Sequence, residues 1–204
     1  MLKKLLFTLS LLVSLNIANA QEKLHKFAIG LDYGFGNELK NTDYTYTNRY
    51  LKGQLYYKFR PYKKHNYEIL IQPEINFATH QLINMYFVTP DEPDYEEKRA
   101  EYTKLKDIRE YSIGFGFLYR RIFSDHFSMY VLGSVGPMVT DTETERLSKG
   151  FAFQDTFSLG FSYKTNGVNL DFRPNLRHIS NAGLQNSNAG FNTLNFEFGI
   201  SFPL

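Results

Sequence analysis

Near the C-terminal end of the chain runs Arg177-His178-Ile179-Ser180-Asn181-Ala182-Gly183-Leu184, followed by Asn188-Ala189-Gly190-Phe191-Asn192. His178 and Ser180 are two residues apart. In an extended strand this spacing puts both side chains on one face, with Cα atoms roughly 6.6 Å apart, so an imidazole can reach a hydroxyl. That is a base beside a nucleophile, the pair on which covalent acyl transfer is built. The other histidines, His25, His65, His80 and His126, fall at expected strand ends and turns and are read as ordinary surface residues.

The elements around this stretch read as strands. Phe27, Ile29, Leu31, Tyr33 and Phe35 alternate with Ala28, Gly30, Asp32, Gly34 and Gly36, large apolar groups on one face against small or polar ones on the other. The pattern returns at Leu51, Leu55, Tyr57 and Phe59 against Lys52, Gln54 and Lys58, and at Tyr67, Ile69, Ile71, Ile75 and Phe77 against Glu68, Gln72, Glu74 and Asn76. Tyr111 to Tyr119, Phe127 to Val135 and Phe151 to Tyr163 repeat it. The last two strands are expected at Val168–Ser180 and at residues 191–202. A soluble sandwich would hide its large face against a second sheet; small residues on the inner face suit a narrow barrel whose large residues point outward. About eight strands, an even number, predict an eight-stranded antiparallel transmembrane β-barrel. The polar faces would then line the lumen and pair their charges across it. A lipocalin-like carrier fits poorly, because it would turn its large apolar side chains inward around a ligand.

The connections alternate in length. Residues 60–65, 122–126 and 164–167 are short, the last an Asn-Gly hairpin turn, while residues 37–48, 80–104, 140–149 and 181–190 form long polar loops. Short turns face the periplasm and long loops the outside. Asp91, Glu92, Asp94, Glu96 and Glu97 are read as a solvated acidic loop in preference to a cation site.

Parity then places the chemistry. In the seventh strand Val168, Leu170, Phe172 and Leu176 face outward, and steps of two reach His178 and Ser180. In the eighth, Leu194, Phe196, Phe198, Ile200 and Phe202 face outward, and a step back reaches Asn192. If the two strands pair as a hairpin about Gln185, His178 lies directly opposite Asn192, with Cβ atoms about 4.5–5.5 Å apart. The polar trio sits on the lipid-facing wall at its outer end, where only a lipid in the outer leaflet would meet it. Arg173 and Arg177 have lumenal parity and are expected to pair with Asp171, Glu197 or other lumenal acids. Lys40, Arg49, Lys104 and Lys149 near the outer loops are weak candidates for holding lipid phosphates.

The run His-x-Ser-Asn-Ala-Gly with its following Asn- and Gly-containing loop resembles the lipid A 3-O-deacylase family, the PagL-type outer-membrane esterases. The likeness is tight over residues 177–192 and otherwise rests on architecture. It implies His178 as general base, Ser180 as nucleophile and Asn181 as the group that steadies the oxyanion. The family's third member is a Glu fourteen residues after the His; here that position is Asn192, which can orient the imidazole but cannot offset its charge. The implied activity is hydrolysis of an acyl ester of lipid A, with lipopolysaccharide and outer-membrane lipids as partners and with neither cofactor nor metal. A homodimer stays open. The alternative reading is a non-catalytic eight-stranded outer-membrane barrel with a structural, adhesive or lipid-binding role.

Compartment and class agree with this. Residues 1–20 read as a signal peptide: Lys3 and Lys4, an apolar run, and Ala18-Asn19-Ala20 as a cleavage site. Residues 21–204 then form one domain whose destination is the outer membrane. The chain has no Cys and a net charge of +2, too small to suggest nucleic acid as a partner. Its 15 Tyr and 19 Phe, against no Trp, suit strands and the aromatic girdles of a membrane barrel.

Overall fold

The computed structural model describes residues 25–39, 42–59 and 64–204. The signal peptide expected at residues 1–20, the candidate Lys40 and most of the first short turn lie outside these residues. Eight strands close into one antiparallel barrel: β1 (Phe27–Glu38), β2 (Tyr44–Phe59), β3 (His65–Leu82), β4 (Lys106–Ile122), β5 (Phe127–Thr140), β6 (Gly150–Thr165), β7 (Val168–Ser180) and β8 (Phe191–Pro203). Each strand pairs with its sequence neighbour, and β1 closes on β8 from Ala28–Pro203 to Glu38–Thr193. Closure leaves no unpaired strand edge, the condition for a sheet to cross hydrocarbon.

The outward rows are those the alternation predicts. Ile29, Leu31, Phe117 and Phe157 remain 50, 55, 54 and 59 % exposed, an arrangement that only a lipid surround makes favourable. The lumen departs from the expected small-residue lining. Tyr46, Tyr50, Tyr56 and Tyr130 point inward and are buried. Glycines make room for two of them: a Cβ at Gly34 would stand 2.1 Å from the Tyr50 ring, and one at Gly160 2.0 Å from the Tyr130 ring.

Charge pairs fill the space between. Arg173 bonds Asp32 at 2.9 Å and also Glu197, Lys52 reaches Glu197 at 2.7 Å and Glu74 at 3.2 Å, and Arg177 pairs with Glu74 at 3.0 Å and Glu110 at 2.9 Å. Asp171, one expected partner for these arginines, accepts instead from the Tyr130 hydroxyl at 2.9 Å. Apolar clusters cap this network at each end, one around Tyr44, Leu147, Ile179 and Phe191, the other around Tyr56, Leu70, Leu118 and Leu132. The result is a filled barrel, so any chemistry belongs on its outer wall or its loops.

Two strands run further out than the alternation alone predicts. β2 begins at Tyr44, inside the expected loop 37–48, and β3 continues to Leu82. The long connection from β3 to β4 carries a 3₁₀ turn at Met85–Phe87 and a helix, α1 (Tyr95–Tyr102). Its run Glu96-Glu97-Lys98-Arg99-Ala100-Glu101 consists of good helix formers. The acidic residues there pair with neighbouring lysines, Glu92 with Lys98 at 3.1 Å and Glu101 with Lys104 at 3.0 Å.

Candidate active site

β7 and β8 pair about Gln185, and His178 stands directly opposite Asn192. His178 Nδ1 lies 2.8 Å from Asn192 Oδ1. An amide oxygen only accepts, so Nδ1 carries the proton and the lone pair of the neutral ring sits on Nε2. Ser180 follows two residues later on the same outward row, half-buried, and its hydroxyl is engaged by no other group among the described residues. The spacing therefore brings His178, Ser180 and Asn192 onto one patch of the outer wall, as the parity argument requires.

Asn181 is placed differently from its neighbours. It is fully buried beneath the loop that joins β7 to β8. Its backbone N–H donates to Asn188 Oδ1 at 2.7 Å, its Nδ2 donates to the Ser187 carbonyl at 2.8 Å, and its Oδ1 accepts from Gly183 N at 3.0 Å. The side chain thus braces the loop from within, keeping one amide hydrogen uncommitted. The loop bends back through Ala182, Gly183 and Gly190, with φ of 54°, 77° and 65°. At Gly190 a Cβ would meet the Ile179 carbonyl oxygen at 2.3 Å, so only glycine brings the chain back into β8 there.

A neighbouring loop clamps this one. Arg146 donates through Nε to the Gly190 carbonyl at 2.7 Å and through Nη2 to the Ala189 carbonyl at 3.3 Å, while Gly190 N returns a bond to the Arg146 carbonyl at 2.9 Å. Leu147 bridges Asn188, and Ser148 exchanges bonds with Ser187. The Arg146 guanidinium also lies 4.3 Å from the Tyr44 ring centroid. Below, His80 Nε2 meets Glu145 Oε2 at 2.9 Å and His80 Nδ1 the Thr45 carbonyl at 2.9 Å, so the outward extension of β2 and β3 anchors the clamp. Arg146 does not stand out in the sequence, and His80, expected there as an ordinary surface residue, is instead fully buried, because each bonds groups remote along the chain.

On its other side His178 faces Asp155 of β6, its direct register partner. Asp155 is exposed in an outward row that otherwise reads Phe151, Phe153, Phe157 and Leu159. The parity of β6 contained this signal: an acid where every second residue is apolar. Down the wall from the site, Leu176 pairs with Phe157 and Leu194, and Phe172 stacks on Phe196 at 6.3 Å.

Among the described residues one candidate phosphate holder, Lys149, comes near this loop, exposed and next to Ser148, which bonds Ser187; the other described candidates lie elsewhere. Lys104 is tied to Glu101, whose carboxyl the bonds from Lys104 and Lys106 hold below the ordinary carboxylate range. Arg49 points outward from β2, on a different sector of the wall.

The fold and its outward apolar rows define an eight-stranded membrane-spanning barrel that carries His178, Ser180 and Asn192 as a polar patch on its lipid-facing wall. The family model described as lipid A 3-O-deacylase (PagL) matches residues 92–201, more than half of the chain and all of the site, and the chain belongs to that family. Among solved structures, the outer-membrane enzyme PagL aligns with a TM-score of 0.56 at 11 % identity, covering 86 % of this chain and 99 % of that one. Neisserial surface protein A aligns at 0.52 and 13 % identity, covering 88 % and 97 %. At these identities the likenesses establish the barrel alone. No curated protein matches the chain.

Proposed function

We propose that the protein is a serine esterase of the outer membrane that hydrolyses the 3-O-linked acyl ester of lipid A. The observation that carries this is the contact of His178 Nδ1 with Asn192 Oδ1 at 2.8 Å, because it leaves Nε2 as the base on the same face as Ser180. Membership of the deacylase family supplies the substrate class.

Nε2 takes the hydroxyl proton as Ser180 Oγ bonds the ester carbonyl carbon. The tetrahedral oxyanion is steadied by backbone N–H groups and the remaining amide hydrogen of Asn181 as the loop adjusts to substrate. Collapse breaks the ester C–O bond, and His178 returns its proton to the departing sugar oxygen. Water, deprotonated by the same ring, then releases the fatty acid and restores Ser180. The acyl chain lies along Phe157, Leu176 and Leu194, with the sugar and its phosphates among the outer loops. The chain arrives after loss of residues 1–20, with cleavage near Ala20, and outer-membrane lipids surround the barrel.

Mass spectrometry of lipid A from cells expressing the wild type or Ser180→Ala tests the reading. The expected result is loss of one hydroxyacyl mass with the wild type alone. Unchanged lipid A in both, with the barrel folded in the outer membrane, returns the protein to the non-catalytic alternative, which Asn192 in the acid position favours.

A further inference from the structure

The proposed reaction creates a problem at His178. As Ser180 gives up its proton the ring becomes an imidazolium, and Asn192 orients that cation without balancing its charge. The wall beside it would be hydrocarbon. An acid is needed within reach, and Asp171 and Glu197 both lie in the lumen, engaged by Tyr130, Arg173 and Lys52.

Asp155 meets the requirement from the opposite flank. The β6–β7 register sets it directly against His178, and the β7–β8 register sets Asn192 against the other side, so the row reads Asp155, His178, Asn192 across three strands. Directly opposed residues hold their Cβ atoms about 4.5–5.5 Å apart, a gap that Asp and His side chains bridge by a change of rotamer. Asp155 is committed to no ion pair or hydrogen bond among the described residues. Its placement on a lipid-facing row is otherwise unfavourable, flanked as it is by Phe153, Phe157 and, across β5, Val135.

We propose that Asp155 is the acid of this site, a positioning residue that acts through His178 and stabilises the imidazolium formed when Ser180 is deprotonated. The inference rests on the esterase reading for its chemistry, but not on lipid A as substrate. It divides between two strands the work a single carboxylate does elsewhere: Asn192 fixes the tautomer and Asp155 supplies the charge. The acid does not change its own protonation state in this scheme; it faces the ring that does.

The test uses the full chain purified as a folded barrel, with two readouts. The first is the rate at which a fluorophosphonate labels Ser180, where the Oγ–P bond forms, the P–F bond breaks, fluoride leaves and His178 takes the proton. The second is kcat and KM on lipid A. Asp155→Asn is expected to slow labelling by about 10²–10⁴-fold and to lower kcat with little change in KM. Asp155→Glu should keep most of the rate, and adding Asn192→Glu to Asp155→Asn should restore most of it from the other side.

Labelling within about threefold of wild type in Asp155→Asn would overturn the proposal, since general acid–base assistance is worth roughly 10²–10⁴-fold. So would a loss that neither Asp155→Glu nor Asn192→Glu repairs, which marks a structural role. Labelling that depends on Asp155 while lipid A stays intact would uphold the acid and sink only the lipid A substrate. Absence of Ser180 labelling in the wild type would sink both.

Discussion

At Asn192 a single atom decides the outcome. Replacing the acid of a Ser-His-Asp triad with an amide costs roughly 10⁴-fold, because the amide can hold the imidazole in the wrong tautomer. Here the Asn192 oxygen faces Nδ1, so the tautomer is the useful one and that part of the penalty is avoided. Asn192→Leu, which removes the acceptor and keeps the size, is therefore expected to lower kcat by about 10²-fold, within the range of general-base assistance, and to leave KM nearly unchanged. A rate unchanged in this variant would mean that the hydrogen bond does not hold the ring. His178, Ser180 and Asn192 were legible in the sequence because spacing and parity act within one hairpin. Asp155 was legible by the same means, since its parity is equally plain and counting back from the two-residue Asn166-Gly167 turn sets it against His178; the His-x-Ser motif alone does not contain it. Asn181 illustrates the opposite limit: its position in the motif is evident, but whether its amide faces the substrate or the loop depends on Ser187 and Asn188.

The loop between β7 and β8 holds its shape through the loop between β5 and β6. Most of that hold passes through Arg146, whose guanidinium bonds two carbonyls of residues 189 and 190 and lies against Tyr44 and Phe87. A hydrogen bond from a charged donor contributes about 1.5–3 kcal/mol, which is enough to set the population of an ordered loop but small beside the closed strand ladder. Arg146→Ala is thus expected to lower deacylation at least tenfold, converted at about 1.4 kcal/mol per decade, with the unfolding midpoint of the barrel unchanged. Limited proteolysis should find new cleavage within residues 181–190. If activity fell only together with the unfolding midpoint, Arg146 would be part of the barrel's stability and not of the loop's order. Strand existence and facing were readable because lipid on one side and a packed lumen on the other impose strict alternation. Strand ends were not: β2 and β3 continue outward past the apolar belt, where the inward residues Tyr44, Tyr46 and His80 pack under the clamp and the outward ones meet water. The helix α1 was missed for a related reason, since its polar run has no buried face to give it a period.

A barrel whose lumen is filled with ions must balance them collectively. Arg173 is fully enclosed, touching Asp32, Glu197, Tyr130 and Tyr56 from β1, β8, β5 and β2. The alternation announced that charges would face inward, but which acid meets which base depends on how strands remote in sequence come together across the lumen. Asp32 and Arg173, 141 residues apart, show how far that is from any local pattern. Desolvating such charges is expensive, and their mutual attraction does little more than offset it, so the network is better understood as a filler that tolerates no vacancy than as a net source of stability. The consequence is asymmetric. Arg173→Met leaves Asp32 facing Glu197 with only Lys52 nearby to offset either, and breaking a buried pair in this way costs about 3–5 kcal/mol. Urea unfolding in detergent micelles should show the midpoint falling accordingly, whereas Lys104→Met, on an exposed loop, should stay within about 0.5 kcal/mol of wild type. The triple change Asp32→Asn, Arg173→Met, Glu197→Gln removes the stranded charges together and is expected to recover much of the loss. If the triple variant were no more stable than Arg173→Met alone, the defect would lie in the volume and hydrogen bonds of the guanidinium, and the electrostatic account of the lumen would fail.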